Sequence, residues 1–463
     1  MAVAGILSGT GCANIIPPMG GPRDSLPPEL AAVRPPDSSK NFTGKRITFE
    51  FNEFVQLDNI QQNLLVSPVP KINPVVESKL RTVTVTLKDT LEENTTYSIN
   101  FGNAIKDVNE GNIYKNFTYL FTTGAALDSL RVTGKVIIAE TGKSDSTLIV
   151  MLHTSTDDSA VIKQNPRYIA RTDREGKFTF ENLRPATYTI YALKDEGGQH
   201  KYLSKSQLFA FADSTVTTSA NPKPVTLYAF TEKEEEADKP KPAVTRPARG
   251  NAQRDTRLHI ETNIANNELD LLGNLEMTFK PAPLKYFDSA KVVFTNEQYQ
   301  PLTGYRFERD TSNEKVTLVY NWAPGTTYNL IIDKDFAEDT LGDKIPRNDT
   351  ITFTTRKERD YGELHLRLLN LDLTKNPVLQ FVSNDQVKYA RPLTSREYNE
   401  KLFQPGDYDL RIVYDENKNG IWDTGEFFGK HRQPEKVVPL SRKLTVKANW
   451  DNVVDITLEA DNK

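Results

Sequence analysis

The chain holds a single cysteine, Cys12, in 463 residues. No intrachain disulfide can form, and zinc sites built from several thiolates are excluded. Histidines are few and scattered: His153, His200, His259, His365 and His431. None sits in an HExxH or HxH pattern. No GxSxG, phosphate loop or strand-turn-helix GxGxxG accompanies them. With 62 acidic residues, paired carboxylates arise by chance, so no glycosidase pair can be singled out. Together these absences argue against an enzyme. The formal net charge is -4, so no basic face is expected to neutralise phosphates, and nucleic acid is not an expected partner. No stretch beyond the N-terminal run approaches the roughly 18 consecutive apolar residues of a membrane-spanning helix. Long helical periodicity is missing as well. Ser395 to Lys401 alone suggests a short helix or turn.

What the sequence does contain is period-2 alternation. Arg46-Ile47-Thr48-Phe49-Glu50-Phe51 alternates polar with apolar, as does Thr82-Val83-Thr84-Val85-Thr86-Leu87. Asn274-Leu275-Glu276-Met277-Thr278-Phe279 and Glu363-Leu364-His365-Leu366-Arg367-Leu368 repeat the pattern. Such runs suit strands with one face on a core and the other in water. His365 falls on the polar phase of its run, which predicts a solvent-facing ring. Frequent Gly, Pro, Asn and Asp interrupt the runs, so the fold class is all-β, built of sandwiches.

At roughly 100–150 residues per domain the length suggests about three to five domains. Residues 231–255, TEKEEEADKPKPAVTRPARGNAQRD, carry many charges, three prolines and almost no apolar side chains. Such a segment buries too little to offset its ordering entropy and reads as a linker. The halves on either side repeat each other. Thr95-Thr96-Tyr97-Ser98-Ile99 matches Thr326-Thr327-Tyr328-Asn329-Leu330, with the tyrosines 231 apart. Asp107 and Asp339 are 232 apart, as are Phe121-Thr122-Thr123 and Phe353-Thr354-Thr355. Further on, Arg184-Pro185-Ala186-Thr187-Tyr188 matches Gln404-Pro405-Gly406-Asp407-Tyr408, and Asp195-Glu196 matches Asp415-Glu416, both 220 apart. Matches in constant order and near-constant offset indicate an internal duplication, A-B-linker-A-B.

Module A resembles the bacterial Ig-like domain of the SbsA type. The residues that carry this are Phe51-Asn52-Glu53, Leu91 to Tyr97, Asp107 with Gly111, and the closing Phe121-Thr122-Thr123. The second copy has Phe279-Lys280-Pro281 in place of Phe-x-Glu. Module B resembles the carboxypeptidase-regulatory-like, or transthyretin-like, sandwich through Thr172-Asp173-Arg174-Glu175-Gly176-Lys177-Phe178-Thr179-Phe180, Leu183 and Tyr188. Its second copy keeps only the Pro-Gly-x-Tyr end. The expected boundaries are a signal-peptide remnant at 1–11, a lipidated cysteine and Pro/Gly spacer at 12–28, and Ig-like module A1 at 29–125. Module B1 follows at 128–230, the linker at 231–255, Ig-like module A2 at 256–357, and B2 with a calcium-type loop at 358–463.

That loop runs Asp415-Glu416-Asn417-Lys418-Asn419-Gly420-Ile421-Trp422-Asp423-Thr424-Gly425-Glu426. It has the spacing of an EF-hand loop, although strands rather than helices flank it. Asp415, Asn417 and Asn419 take the first, third and fifth positions, and Gly420 the sharp turn. Ile421 offers a carbonyl, and Asp423 and Glu426 complete the set. Six to eight oxygens around one point suit Ca²⁺, so a structural calcium ion is expected. The first copy, Asp195-Glu196-Gly197-Gly198-Gln199-His200, lacks the later acids and should bind none.

Cys12 follows the apolar and small-residue run MAVAGILSGTG and precedes a Pro/Gly-rich stretch. It resembles the lipobox cysteine of bacterial lipoproteins, and Cys-Ala-Asn with Pro-Pro-x-Gly-Gly-Pro-x-Asp resembles Bacteroidetes outer-membrane lipoproteins carrying such Ig-like modules. The resemblance implies a covalent lipid on Cys12 and an outer-membrane tether, with the cell surface favoured over the periplasmic face. A non-enzymatic scaffold or binding subunit follows, docking a protein partner such as a barrel assembly, transport or secretion complex. The alternative is a glycan-binding lipoprotein of a polysaccharide-capture system, with Trp322 and Trp422 as its candidate sugar platform.

Overall fold

The computed structural model describes residues 24–233 and 257–458; Cys12 and most of the linker lie outside them. Strands dominate, and the α-helices among the described residues are the single turns Ile60–Asn63 and Ala160–Lys163. The alternation seen in the sequence sets the strand faces. In Arg46–Phe51, Ile47, Phe49 and Phe51 are buried while their neighbours face outward. Val83 and Val85 of Thr82–Thr86 oppose Phe49 and Ile47 across the ladder. A one-residue slip would turn this whole apolar set outward, so burial fixes the register.

Two compact units emerge from the contacts. One comprises residues 24–139, 143–233 and 424–434. Its first sandwich has a four-stranded sheet ordered Leu30–Arg34, Arg46–Phe51, Thr82–Thr86, Val75–Lys79. A three-stranded sheet of Leu65–Ser67, Thr96–Asn100 and Thr118–Thr122 forms the other layer. Between them the Phe49 ring meets Phe101, Phe117 and Tyr119 edge-on at 5.3–5.4 Å. Edge-to-face geometry adds to the burial energy, and Phe49→Ala would cost about 3–5 kcal/mol.

The second sandwich of this unit pairs Lys177–Leu183, Leu130–Ile138 and Val225–Ala229 in one sheet. Leu130–Ile138 runs parallel to Val225–Ala229, from Gly134 opposite Val225 to Ile138 opposite Ala229. A Cβ on Gly134 would lie 2.1 Å from the Val225 carbonyl oxygen and 2.5 Å from the Phe178 ring, so only glycine fits that approach. The facing sheet is Tyr168–Arg171, Leu148–His153, Thr187–Lys194 and Phe209–Phe211. The two sandwiches are tied together. The Val69 N–H donates to the Arg167 carbonyl at 2.8 Å, and Arg171 Nη1 donates to the Asn63 carbonyl at 3.1 Å. The segment Thr424–Pro434 also packs in this unit. Its Phe427 ring lies 5.1 Å from both Phe209 and Phe211.

The other unit holds residues 140–142, 257–423 and 435–458. It repeats the same strand orders, with Glu268–Leu269 added at the edge of one sheet. His259–Thr262, Leu275–Lys280, Lys315–Val319 and Arg306–Arg309 form a four-stranded sheet. Glu268–Leu269, Asp349–Thr355, Thr327–Ile332 and Val292–Asn296 face it. The last sandwich pairs Glu397–Phe403, Gly362–Leu369 and Asp451–Thr457, the latter two in parallel. Across from them stand Gln386–Pro392, Pro377–Ser383, Gly406–Tyr414 and Val437–Pro439. The chain is thus all-β, with tandem sandwiches in a duplicated order.

One expectation is corrected. Ser395 to Lys401 forms no helix; Glu397–Phe403 is an edge strand pairing antiparallel with Gly362–Leu369. Tyr398 and Phe403 turn inward onto the Phe381 ring at 5.8 and 4.7 Å. Core contacts at period 2 outweigh the local helical preference of Glu and Lys.

Candidate functional site

The strand Gly406–Tyr414 delivers Asp415 to the start of the predicted ion loop, where it is 2% exposed. Its Oδ1 accepts from the Lys418 and Asn419 N–H groups at 2.6 and 3.2 Å, and its Oδ2 from Gly420 N–H at 2.7 Å. Gly420 has φ +79°, a left-handed conformation that a side chain would strain. The chain therefore wraps around the first carboxylate, as the spacing predicts. Asn417 Nδ2 and Asn419 Nδ2 both donate to Asp423 Oδ2, at 2.5 and 2.6 Å. Turning each amide by half a revolution would exchange those nitrogens for oxygens. Asp415, Asn417, Asn419 and Asp423 are thus brought together.

Ile421 is exposed, and its N–H donates to Asn419 Oδ1 at 2.8 Å. Glu426 belongs to the first unit, where its carboxylate pairs with Lys430 at 3.0 Å. Glu435, outside the twelve-residue window, reaches the loop instead. It is 6% exposed and accepts from the Glu416 and Asp423 N–H groups, each at 2.9 Å. Burial pushes its carboxyl above the ordinary range, and the charges of Asp415 and Asp423 add to that push against the pull of the two N–H donors. Among the described residues no group of three or more His, Cys, Asp or Glu is disposed to hold a metal ion. An ion at this loop therefore needs the amide and carbonyl oxygens as well as the acids, which is the donor mix Ca²⁺ accepts.

The first copy of the loop is built differently. Asp195 Oδ2 takes the His200 Nδ1 at 2.6 Å and the His200 N–H at 2.8 Å. Burial alone would raise the Asp195 pKa, but the His200 side chain and backbone outweigh it and hold the carboxyl below its ordinary value. A histidine ring thus occupies Asp195, the counterpart of Asp415 in the other copy.

The two tryptophans considered as a sugar platform are packing residues. Trp322 is 8% exposed and edge-on to Phe294, Tyr320, Tyr328 and Phe353 within 5.7 Å. Trp422 packs on Val378, Val413 and Val437, and its Nε1 donates to the Glu435 carbonyl at 3.0 Å. The exposed indole is Trp450, with Lys447 Nζ 5.1 Å above its ring. His365 lies at the surface with Nδ1 2.7 Å from Asn399 Oδ1. Its Nε2 is 3.3 Å from both Glu363 and Asp451.

Residues 24–123 match the family described as bacterial Ig-like domain, and residues 132–220 match one described as polysaccharide lyase family 4, domain II. The second match carries an fn3-type description where the residues resemble a carboxypeptidase-regulatory-like sandwich. No curated protein matches the chain. Among solved structures it is similar to native alpha-2-macroglobulin from Escherichia coli, 12% identical over 42% of this chain and 92% of that one, TM-score 0.20. The Bacillus anthracis TIE protein is 11% identical over 95% of this chain and 75% of that one, TM-score 0.17. The N-terminal part of the bacterial S-layer protein SbsC is 19% identical over 44% of each chain, TM-score 0.16. The class is a tandem array of Ig-like and fn3-like β-sandwich domains.

Proposed function

We propose that the chain is a non-enzymatic scaffold or binding subunit, held at the outer membrane by a lipid on Cys12 and exposed at the cell surface. It docks a protein partner such as a barrel assembly, transport or secretion complex. The observation that carries this reading is the duplicated pair of sandwiches, whose strand orders repeat from one unit to the other. Repetition of a β-sandwich pair multiplies loops and edges for contact without building a catalytic cleft. Two acyl chains on a cysteine give a stable anchor at about 0.8 kcal/mol per buried CH₂. Chemical crosslinking in intact cells, followed by mass spectrometry of peptides crosslinked to this chain, tests the docking. Reproducible crosslinks to one outer-membrane complex support it; their absence with the chain abundant in the membrane sinks it. Palmitate labelling that survives Cys12→Ser would sink the anchor.

The reading extends to the last module. Asp415, Asn417, Asn419, Asp423 and the Ile421 carbonyl hold a structural Ca²⁺, while Glu435 fixes the loop through the Glu416 and Asp423 N–H groups.

A second reading is a surface glycan binder. The polysaccharide-lyase description of the match at 132–220 and the exposed Trp450 favour it. A glycan array that gives signal, lost on Trp450→Ala, in a chain without crosslinked protein partners would select this reading.

A further inference from the structure

Within the first unit a cleft of about 710 Å³ opens between residues 66–97 on one side and 153–201 on the other. Small-molecule sites span about 300–1,000 Å³, so the volume suits a ligand rather than a solvent gap. The walls are held in place. Arg167 grips Glu92 through two hydrogen bonds of 2.9 and 2.6 Å, and the Val69 N–H donates to the Arg167 carbonyl at 2.8 Å. Pro68, Pro70, Pro74 and Pro166 in the lining restrict the backbone further.

The charge of the lining runs against that of the chain. The protein is acidic overall, at -4, yet this cleft gathers Lys71, Lys88, Lys163, Lys201 and Arg167. Asp89 and Glu92 are the lining acids, and both are already engaged. Asp89 accepts the Lys71 and Thr90 N–H groups at 2.7 and 2.9 Å, and Glu92 accepts Arg167. None of the four lysines makes an ion pair among the described residues.

Two buried nitrogens belong to residues of the lining and lack partners among the described residues. His153 is 1% exposed and its Nε2 has no hydrogen-bond partner; Arg167 Nε has none either. Leaving a buried polar group unpaired costs about 1–3 kcal/mol, and such groups are rare in folded proteins. Burial pushes the His153 pKa down to about 4, so its ring is neutral at pH 7 and one tautomer presents Nε2–H as a donor.

We propose that this cleft binds an anionic ligand of small-molecule size. Its carboxylate or phosphate oxygens face the ammonium groups of Lys71, Lys88, Lys163 and Lys201 in the lining. The proposal stands independently of the lipid anchor and of the calcium loop. Isothermal titration of the full chain in calcium-free buffer tests it. Citrate serves as the carboxylate probe, tripolyphosphate as the phosphate probe and maltotriose as the neutral control. The expected result is one-to-one binding of at least one anion, none of maltotriose, and at least tenfold weakening by the triple variant Lys71→Gln, Lys88→Gln, Lys201→Gln. Lys71 and Lys88 are exposed and Lys201 is half-buried without an ion pair, so the variant should fold, which circular dichroism checks. The anion that binds identifies the chemical source. If neither binds, or if the triple variant binds as tightly as the parent, the proposal is overturned.

Discussion

Arg167 and Glu92, 75 residues apart in sequence, meet fork to fork, Nη1 to Oε1 at 2.9 Å and Nη2 to Oε2 at 2.6 Å. The hydrogen bond to Arg167 is the largest cause holding the Glu92 pKa below its ordinary value, against the opposing effect of burial. A carboxyl with a lowered folded pKa stabilises above its unfolded value and loses that contribution as pH falls through the folded one. The Glu92 side chain is 51% exposed, so solvent screening limits the pair to about 1 kcal/mol. Glu92→Gln should cost about that much at pH 7 and nothing at pH 2. Hydrogen exchange of the Val69 amide, which sits beside the pair, measures it.

His153 weakens the fold in acid for a different reason. Burial holds its folded pKa near 4, below the ordinary 6.5. Between those values the unfolded chain binds the extra proton, so stability falls as pH falls from about 6.5 towards 4. The loss is roughly 3 kcal/mol at full extent. Urea denaturation read through first-unit probes at pH 7 and pH 4.5 should show a drop that His153→Phe largely removes.

The proposed calcium site separates two glutamates. Asp415→Ala should abolish the calorimetric signal for Ca²⁺, and Glu435→Gln should weaken it at least tenfold. Glu426→Gln should leave it within about twofold, because Glu426 is paired with Lys430. Equal losses for both glutamates would assign Glu426 to the ion.

The duplicated aspartates at the Ig-like loops provide a matched comparison. Asp107 Oδ1 accepts the Glu110 and Gly111 N–H groups at 2.6 and 2.9 Å, and Oδ2 accepts Asn112 N–H at 2.7 Å. Burial alone would raise its pKa, but these N–H donors outweigh that and hold it low. In the second copy Asp339 Oδ1 accepts Leu341 and Asp343, while its buried Oδ2 has no partner. Asp107→Asn should therefore cost about 1–3 kcal/mol locally and Asp339→Asn under about 1 kcal/mol. Hydrogen exchange at residues 110–112 and 341–343 reads the two loops separately.

The core is the feature written most openly in the sequence. Alternation at Ile47, Phe49 and Phe51 marks the buried face. The repeated Thr-Thr-Tyr and Phe-Thr-Thr segments turn out to be ladder partners, Tyr97 opposite Phe121 and Tyr328 opposite Phe353. Both signals are local or repeated, so a single chain displays them. Glu435 is hidden because it reaches the Glu416 N–H across 19 residues, beyond any loop-sized window. The basic cleft is hidden for the same reason, since its walls meet only once two sandwiches have formed. Glu397–Phe403 misleads because its charged residues favour a helix locally, while its strand character rests on the Phe381 ring, a nonlocal contact.

The parallel pairing at the heart of each B module has a mechanical consequence. In the first unit the chain enters that module at Leu130 and leaves it at Ala229, beside Ile138. At about 3.3 Å per residue those points are roughly 26 Å apart along the strands. Tension between them slides Leu130–Ile138 against Val225–Ala229 lengthwise, so all the rungs from Gly134–Val225 to Ile138–Ala229 share the force at once. A hairpin pulled at its open end would instead unzip rung by rung. The last module places Gly362–Leu369 and Asp451–Thr457 in the same arrangement over seven residue pairs, which makes its ladder the longer of the two under traction.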